Sequence, residues 1–333
     1  MTEFFYTYGL FLAKILTAVI ALLLAFSGLI AIATKNKLHS KEKIKITNLN
    51  EKYQEMKESL NSETLEKDEL KKIKKQEKQA KKAKAKQDKE TNRHQDRIFV
   101  LNFDGDIKAS AVDNLREEIT AILTVATPRD EVLVKIESPG GMVHSYGLAA
   151  SQLKRIRDRS IPLIACVDKV AASGGYMMAC VADRILAAPF AILGSIGVIA
   201  QLPNFNRLLK KYDIDYEQIM AGQYKRTLSL FGENTHDGRK KMQAEVDEAH
   251  ALFKNFVADN RPMVDINTLA TGETWYGTRA KEMRLVDEII TSDDYLLAAS
   301  NKNNIFKIEC IIKKGLAEKF GISIQKAISK ISS

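Results

Sequence analysis

Cysteine is scarce in this chain. Its three copies in 333 residues, Cys166, Cys180 and Cys310, are an odd number without CxxC spacing. That excludes a disulfide framework and a cysteine-based zinc module, and each is expected to be a small apolar core residue. The five histidines, His39, His94, His144, His236 and His250, are scattered without HExxH spacing, so no metal site is expected. Neither GxGxxG nor a GxxxxGK loop ending in Ser or Thr occurs. The common phosphate-cradling turns are therefore missing, and no cofactor is implied. A strongly charged body is missing too. The net charge is +9, but residues 35–95 hold 19 Lys and Arg against 11 Asp and Glu. Since Lys14 and Glu3 cancel before that stretch, residues 96–333 are almost neutral, which argues against a nucleic-acid partner.

What is present divides the chain into parts. Ile15–Ala33 is a run of 19 uncharged residues, close to the roughly 20 needed to span about 30 Å of hydrocarbon. The run exceeds the roughly 7 to 15 residues of a signal-peptide h-region and no basic cluster precedes it, so it reads as an uncleaved transmembrane helix, with Lys14 snorkelling at its edge. Residues 35–95 contain few large apolar side chains: Tyr53, Met56, Leu60, Leu65, Leu70 and Ile73 follow no sustained heptad. They predict a spacer that is helical or disordered, either a solvated tether or a basic segment lying on anionic lipid.

From residue 96 onward short β-rich runs alternate with helical patterns. Strands are predicted at 98–103, 132–137 and 162–167, and helices at 110–126, 145–157 and 174–182. Such alternation implies parallel βαβ units carrying functional residues on the loops after the strands. The apolar run 185–200 contains Pro189 and two glycines and reads as buried strand and turn rather than a second span. A long amphipathic helix is predicted from about Asp237 to Asn260, ending before the Arg261-Pro262 pair. Beyond Ser300 the chain is basic and poorly punctuated.

Two glycine-rich turns follow strands. In Glu137-Ser138-Pro139-Gly140-Gly141 the paired glycines let backbone N–H groups approach a ligand. In Ala172-Ser173-Gly174-Gly175 the Ser173 hydroxyl sits at a helix N-terminus, where negative charge is stabilised. On local pattern alone both are equally tight βα turns, with Ser173 a simple N-cap. His144, just past the first turn, lacks a matching Asp for a triad.

Taken in order, ESPGG (137–141), DKVAASGGYMMAC (168–180), GSIGVI (194–199), AGQYKR (221–226) and TWYGTRAKEMRLVDEI (274–289) resemble the signal peptide peptidase A family. The single anchor, basic spacer and single catalytic unit resemble its SohB-type inner-membrane branch. The resemblance covers about residues 96–295. It implies an α/β fold of ClpP/crotonase type, with repeated ββα and βαβ units. It also implies a division into an anchor (1–34), a Lys-rich spacer (35–95), a serine peptidase domain (96–295) and a C-terminal tail (296–333). Carried over residue by residue, it makes Ser173 the nucleophile and Lys225 the general base, with Ser195 orienting the lysine amine. Gly141 and Gly174 supply the oxyanion hole. The implied partners are peptide or membrane-protein substrates, the lipid bilayer and further copies of the chain.

A lysine base has a physical requirement of its own. A free lysine with a pKa of about 10.4 is useless as a base at neutral pH, and burial lowers it by about 3 to 5 pH units, so Lys225 must be desolvated when it works. Lys169, four residues before Ser173, is a rival base, but its neighbour Asp168 suggests a paired surface lysine. Two other readings compete: a non-catalytic membrane scaffold with a vestigial peptidase fold, and an acyl-CoA enzyme of the crotonase kind. The intact Ser173 and Lys225 oppose the first, and the lack of acidic catalytic groups in the two turns opposes the second. Orientation divides the indicators. Lys35, Lys37, Lys41, Lys43 and Lys45 follow the span, against Lys14 before it, which favours a cytoplasmic catalytic unit. The family resemblance points to the outer side of the inner membrane. The lysines close to the span carry the greater weight, and the cytoplasmic face is expected.

Overall fold

A computed structural model describes residues 2–37, 42–73, 75–76, 79 and 96–312; within the first helix the side chains are described only at Phe4 and over 6–22. The chain forms two compact units, Met1–Lys45 with Cys310–Ser333, and Ile46–Glu309. In the first unit, α1 runs Thr2–Lys37 as one helix and contains the expected span. Among the described residues no helix is long and apolar enough to cross a membrane. Residues 23–33 of the expected span lie outside the described side chains.

The catalytic candidates lie on the second unit. Its main sheet follows the predicted runs: β2 (Arg97–Asp104), β3 (Glu131–Glu137) and β4 (Leu163–Val167), joined by β6 (Arg184–Ala187) and β9 (Glu288–Ile289). With β1 (Glu42–Asn48) and β10 (Asn304–Ile312) the order is β1-β10-β2-β3-β4-β6-β9. From β10 to β9 every neighbouring pair is parallel. Parallel strands need crossovers, and α3 (Val112–Leu123) and α4 (Val143–Arg157) supply them. In β3 the side chains of Val132, Val134 and Ile136 point to one face and Leu133 to the other, and all four are buried, as strands covered on both sides require. Leu133, with Ile98, Val100, Ile164, Cys166 and Leu186, packs against Leu296 and Ile305. The expected run 185–200 splits between β6 and β7 (Ile192–Gly194). It is no second span.

A smaller sheet, β5-β7-β8, pairs β5 (Val170–Ala172) parallel with β7, and β7 antiparallel with β8 (Thr274–Tyr276). A single bridge between Ser138 and Ala171 ties it to the end of β3. The short helix α5 (Gly174–Ala179) leaves β5 directly, while α6 (Asn206–Lys211) lies in the long irregular stretch that follows β7. Next comes α7 (His236–Asn260), capped by the Thr235 hydroxyl, and it ends at Arg261 as the following proline predicts. Three short helices complete the unit: α8 (Ile266–Leu269), α9 (Gly277–Glu282) and α10 (Ser292–Ala299).

Two parts of the chain differ from expectation. Residues 42–64, read as spacer, form β1 and α2 (Leu49–Thr64). Leu49 is buried in the core and Tyr53 packs on it. Asn50 also fastens the start of α2 to the start of β10: its Nδ2 donates to the Ser300 and Asn303 carbonyls at 2.9 and 3.0 Å, and its Oδ1 accepts the Ile305 N–H at 2.7 Å. The stretch beyond Ser300, read as a tail, contributes β10 beside β2. The Lys-rich residues 80–95 and the terminal 313–333 lie outside the described residues.

Candidate active site

Ser173 follows the last residue of β5 and precedes the first of α5, with φ 52° and ψ −118°. For a residue with a Cβ this backbone is strained by about 1–3 kcal/mol, and three contacts hold it there. The Ser173 N–H donates to the Gly194 carbonyl at 2.8 Å, its own carbonyl accepts the Met177 N–H at 2.9 Å, and the preceding Ala172 N–H donates to the Ser138 carbonyl at 3.0 Å. Strand β7 is in register with β5 so that Ala172 faces Gly194. The residue that follows β7 is Ser195, also at φ 52°, with its N–H donating to the Glu273 carbonyl at 2.6 Å. Neither serine hydroxyl has a hydrogen-bond partner among the described residues. The two serines predicted to act together therefore stand at equivalent positions on adjacent strand ends.

The SPGG turn lies against this pair. Gly140 has φ +92°, and a Cβ there would stand 2.7 Å from Ser173 Cβ and 2.8 Å from the Gly174 nitrogen, so only glycine lets the turn come this close. The N–H groups on either side of Gly141 are engaged: that of Gly140 donates to Ser138 Oγ at 3.1 Å and that of Met142 to the Ile107 carbonyl at 2.8 Å. The N–H of Gly141 has no partner among the described residues. The same is true of the Gly174 N–H, which in the first turn of α5 lacks an intrahelical acceptor. The two turns packed together at Ser173 thus each carry a backbone donor without a partner among the described residues.

No hydrogen bond joins Lys225 to Ser173 among the described residues. The lysine sits on an irregular loop, in a turn where its N–H donates to the Gly222 carbonyl at 3.1 Å, and its side chain is exposed. Its ammonium forms no hydrogen bond or ion pair among the described residues. A cavity of about 480 Å³ opens beside it, lined by Tyr216, Met220, Tyr224, Arg226 and Thr227 among others. The rival base Lys169 is accounted for. Its ammonium is 2.8 Å from Glu137, not Asp168, and that hydrogen bond and charge raise its pKa, so it stays protonated. Asp168 instead accepts the N–H and hydroxyl of Ser292 and lies 3.3 Å from Lys135. His144 is exposed.

The three cysteines form no disulfide among the described residues and are buried, and burial pushes the Cys180 thiol up to about 12 and raises that of Cys166 as well. A neutral thiol of that kind is no nucleophile at neutral pH. Among the described residues no cluster of three or more His, Cys, Asp or Glu is arranged to hold a metal ion. Sequence reasoning did not single out Ser138 and Tyr146, whose side chains meet behind the SPGG turn. A tyrosine on the buried face of an amphipathic helix gives no local signal beyond core packing.

A serine on a strained strand-to-helix turn, near backbone N–H groups without partners, can carry out acyl transfer. Comparison with known proteins identifies a peptidase family. Residues 3–153 match the model of the peptidase family S49 N-terminal region, and residues 155–305 match that of peptidase family S49. A protein named probable protease SohB from Haemophilus influenzae is 48% identical over 335 residues, which cover 97% of this chain and 94% of that protein. One of the same name from Buchnera aphidicola subsp. Acyrthosiphon pisum is 50% identical, covering 97% and 95%. The chain belongs to peptidase family S49 and is a protease of that family.

Proposed function

We propose that this protein is a membrane-anchored serine endopeptidase that hydrolyses peptide bonds with a Ser173–Lys225 dyad and needs no metal or cofactor. The reading rests above all on Ser173, held at φ 52° with the unpaired N–H groups of Gly141 and Gly174 beside it. Ser173 Oγ attacks the scissile carbonyl carbon while the Lys225 amine takes its proton. The carbonyl oxygen becomes an oxyanion held by the Gly141 and Gly174 N–H groups. On collapse the C–N bond breaks and the ammonium of Lys225 returns the proton to the leaving amine. Water, deprotonated by Lys225, then hydrolyses the acyl-enzyme. Ser195 orients the lysine amine. On this reading the unit Ile46–Glu309 is the catalytic domain, with a ClpP/crotonase-type fold, and residues 1–34 are the anchor. Signal-peptide remnants and misfolded membrane or envelope proteins are the substrates.

The base arrives from a second copy of the chain. Each chain leaves Lys225 exposed and, among the described residues, both serine hydroxyls without a partner. The long stretch after β7 also exposes large apolar side chains, among them Ile199, Tyr212 and Ile219, the last 98% exposed. A monomer gains nothing from displaying them, whereas covering them in a ring of copies buries them and desolvates Lys225. Fluorophosphonate labelling of the purified full-length protein tests the assignment. Wild type is labelled and Ser173→Ala is not; labelling of both, or of neither, sinks it.

A further inference from the structure

Behind the SPGG turn, Ser138 and Tyr146 form a one-way chain of hydrogen bonds. Neither exposes any surface. The Tyr146 hydroxyl has a single proton and donates it to the Asp106 carbonyl at 2.7 Å. At its 2.5 Å contact with Ser138 Oγ it must therefore accept, and Ser138 donates. Ser138 Oγ accepts in turn from the Gly140 N–H at 3.1 Å. The chain runs from the Gly140 N–H through Ser138 and Tyr146 to the Asp106 carbonyl, and no proton in it is left over for a substrate. Burial raises the Tyr146 phenol above its ordinary pKa, so the donor keeps its proton at working pH.

The same residue supports the neighbouring loop. A Cβ on Gly174 would stand 2.3 Å from Tyr146 Cγ, so the ring lies directly against the Gly174 backbone. Phe103 meets that ring edge-on, with centroids 6.2 Å apart and planes at 73°. Gly105 leaves room for the hydroxyls, since a Cβ there would come within 2.6 Å of both. The turn that offers the Asp106 carbonyl to Tyr146 also offers the Ile107 carbonyl to the Met142 N–H. Gly141 is thereby fixed from both sides while its own N–H stays free.

We propose that Tyr146 is a positioning residue that sets both oxyanion donors at once, the Gly141 N–H through its hydroxyl, Ser138 and Gly140, and the Gly174 N–H through its ring. This rests on reading Gly141 and Gly174 as the oxyanion hole. Fixed donors stabilise charge that develops only in the transition state, so loosening them lowers kcat and leaves ground-state binding alone.

The test uses purified full-length protein, with turnover of a peptide substrate counted per active site by fluorophosphonate titration taken to completion. Tyr146→Phe keeps the ring and removes the hydroxyl; Ser138→Ala breaks the same chain one link nearer Gly140. In each, kcat per titrated site falls about 10- to 100-fold, short of the roughly 100- to 1,000-fold loss of an entire oxyanion donor. KM stays within about twofold, as a loss confined to the transition state requires, and fluorophosphonate reacts more slowly by a factor similar to that in kcat. A purely structural role would lower the titratable fraction and the melting temperature without changing turnover per site. Wild-type turnover per site in both variants, with Ser173-dependent labelling intact in the wild type, overturns this inference alone. Absence of that labelling in the wild type removes the oxyanion reading and this inference with it.

Discussion

Ser173 and Ser195 stand one residue beyond the paired strand ends Ala172 and Gly194, each at φ 52°, and the Ser173 N–H donates to the Gly194 carbonyl at 2.8 Å. Two non-glycine residues in the left-handed half of backbone space, side by side, are costly. The fold tolerates them because the surrounding carbonyls leave each backbone N–H one place to go: Gly194 for Ser173 and Glu273 for Ser195. Local strain of this kind clusters where a side chain must be aimed.

Relieving the strain at Ser173 should stabilise the protein and inactivate it. Ser173→Gly removes the Cβ that makes φ 52° unfavourable, which returns about 1–3 kcal/mol. It adds about 0.5–1 kcal/mol of backbone entropy to the unfolded chain. The expected net gain is about 1 kcal/mol by urea unfolding, with no peptide hydrolysis. A loss of stability would show that the surrounding hydrogen bonds need the serine side chain and that no strain is stored there.

A second stability prediction concerns Asp130, which is 3% exposed at the foot of β3. Burial works against its charge, but Arg97 at 2.7 and 2.8 Å and the Thr127 N–H and hydroxyl hold its carboxyl down to about 2. The folded pKa lies below the unfolded value of about 3.9, so the group stabilises the fold above about pH 4. That contribution, about 2 kcal/mol, is lost as pH falls toward 2. Unfolding free energies measured between pH 5 and pH 2.5 should fall less steeply in Asp130→Asn than in wild type. Identical slopes would remove Asp130 from the acid response.

Much of the catalytic unit was legible because β2, β3 and β4 are short apolar runs punctuated by turn residues, and the SPGG and ASGG loops follow such runs directly. Parts held together only by distant contacts were not. Leu49 and Tyr53 are isolated among charges and look like spacer until β10, some 250 residues later, comes alongside through Asn50. The run Ile305 to Ile312 does hold a strand pattern, masked by the basic residues around it. Tyr146 was hidden for a similar reason, since the carbonyl that defines its role lies 40 residues upstream. The exposure of Lys225 was unreadable as well, because a motif reports residue types and not how deeply their side chains are buried.

For the proposed membrane anchor, the lysines after residue 34 set the expected orientation. Charges within about 15 to 20 residues of a span decide its direction most strongly, and five lysines on the C-terminal side outweigh Lys14. The catalytic unit is expected on the cytoplasmic face, protected when protease is added to intact spheroplasts and digested after lysis. Digestion with the inner membrane intact would place it outside.

The exposure of Lys225 leads to the last prediction. If the base comes from a neighbouring copy, Ser173→Ala and Lys225→Ala are each inactive alone, yet a mixed assembly holds some complete sites. A site needs an intact Ser173 from one chain and an intact Lys225 from the next. Random mixing in equal amounts makes about one quarter of sites complete, so about one quarter of wild-type activity per chain should return. Lys225→Arg should be inactive alone and behave as Lys225→Ala does in the mixture, since a guanidinium with pKa above about 12 cannot accept the serine proton. Silence from mixtures whose mixed assembly has been demonstrated would mean that the loop carrying Lys225 folds back onto its own Ser173. In that case assembly serves only to cover Ile199, Tyr212 and Ile219, and Lys225 should then be shielded in an isolated chain that binds a peptide inhibitor.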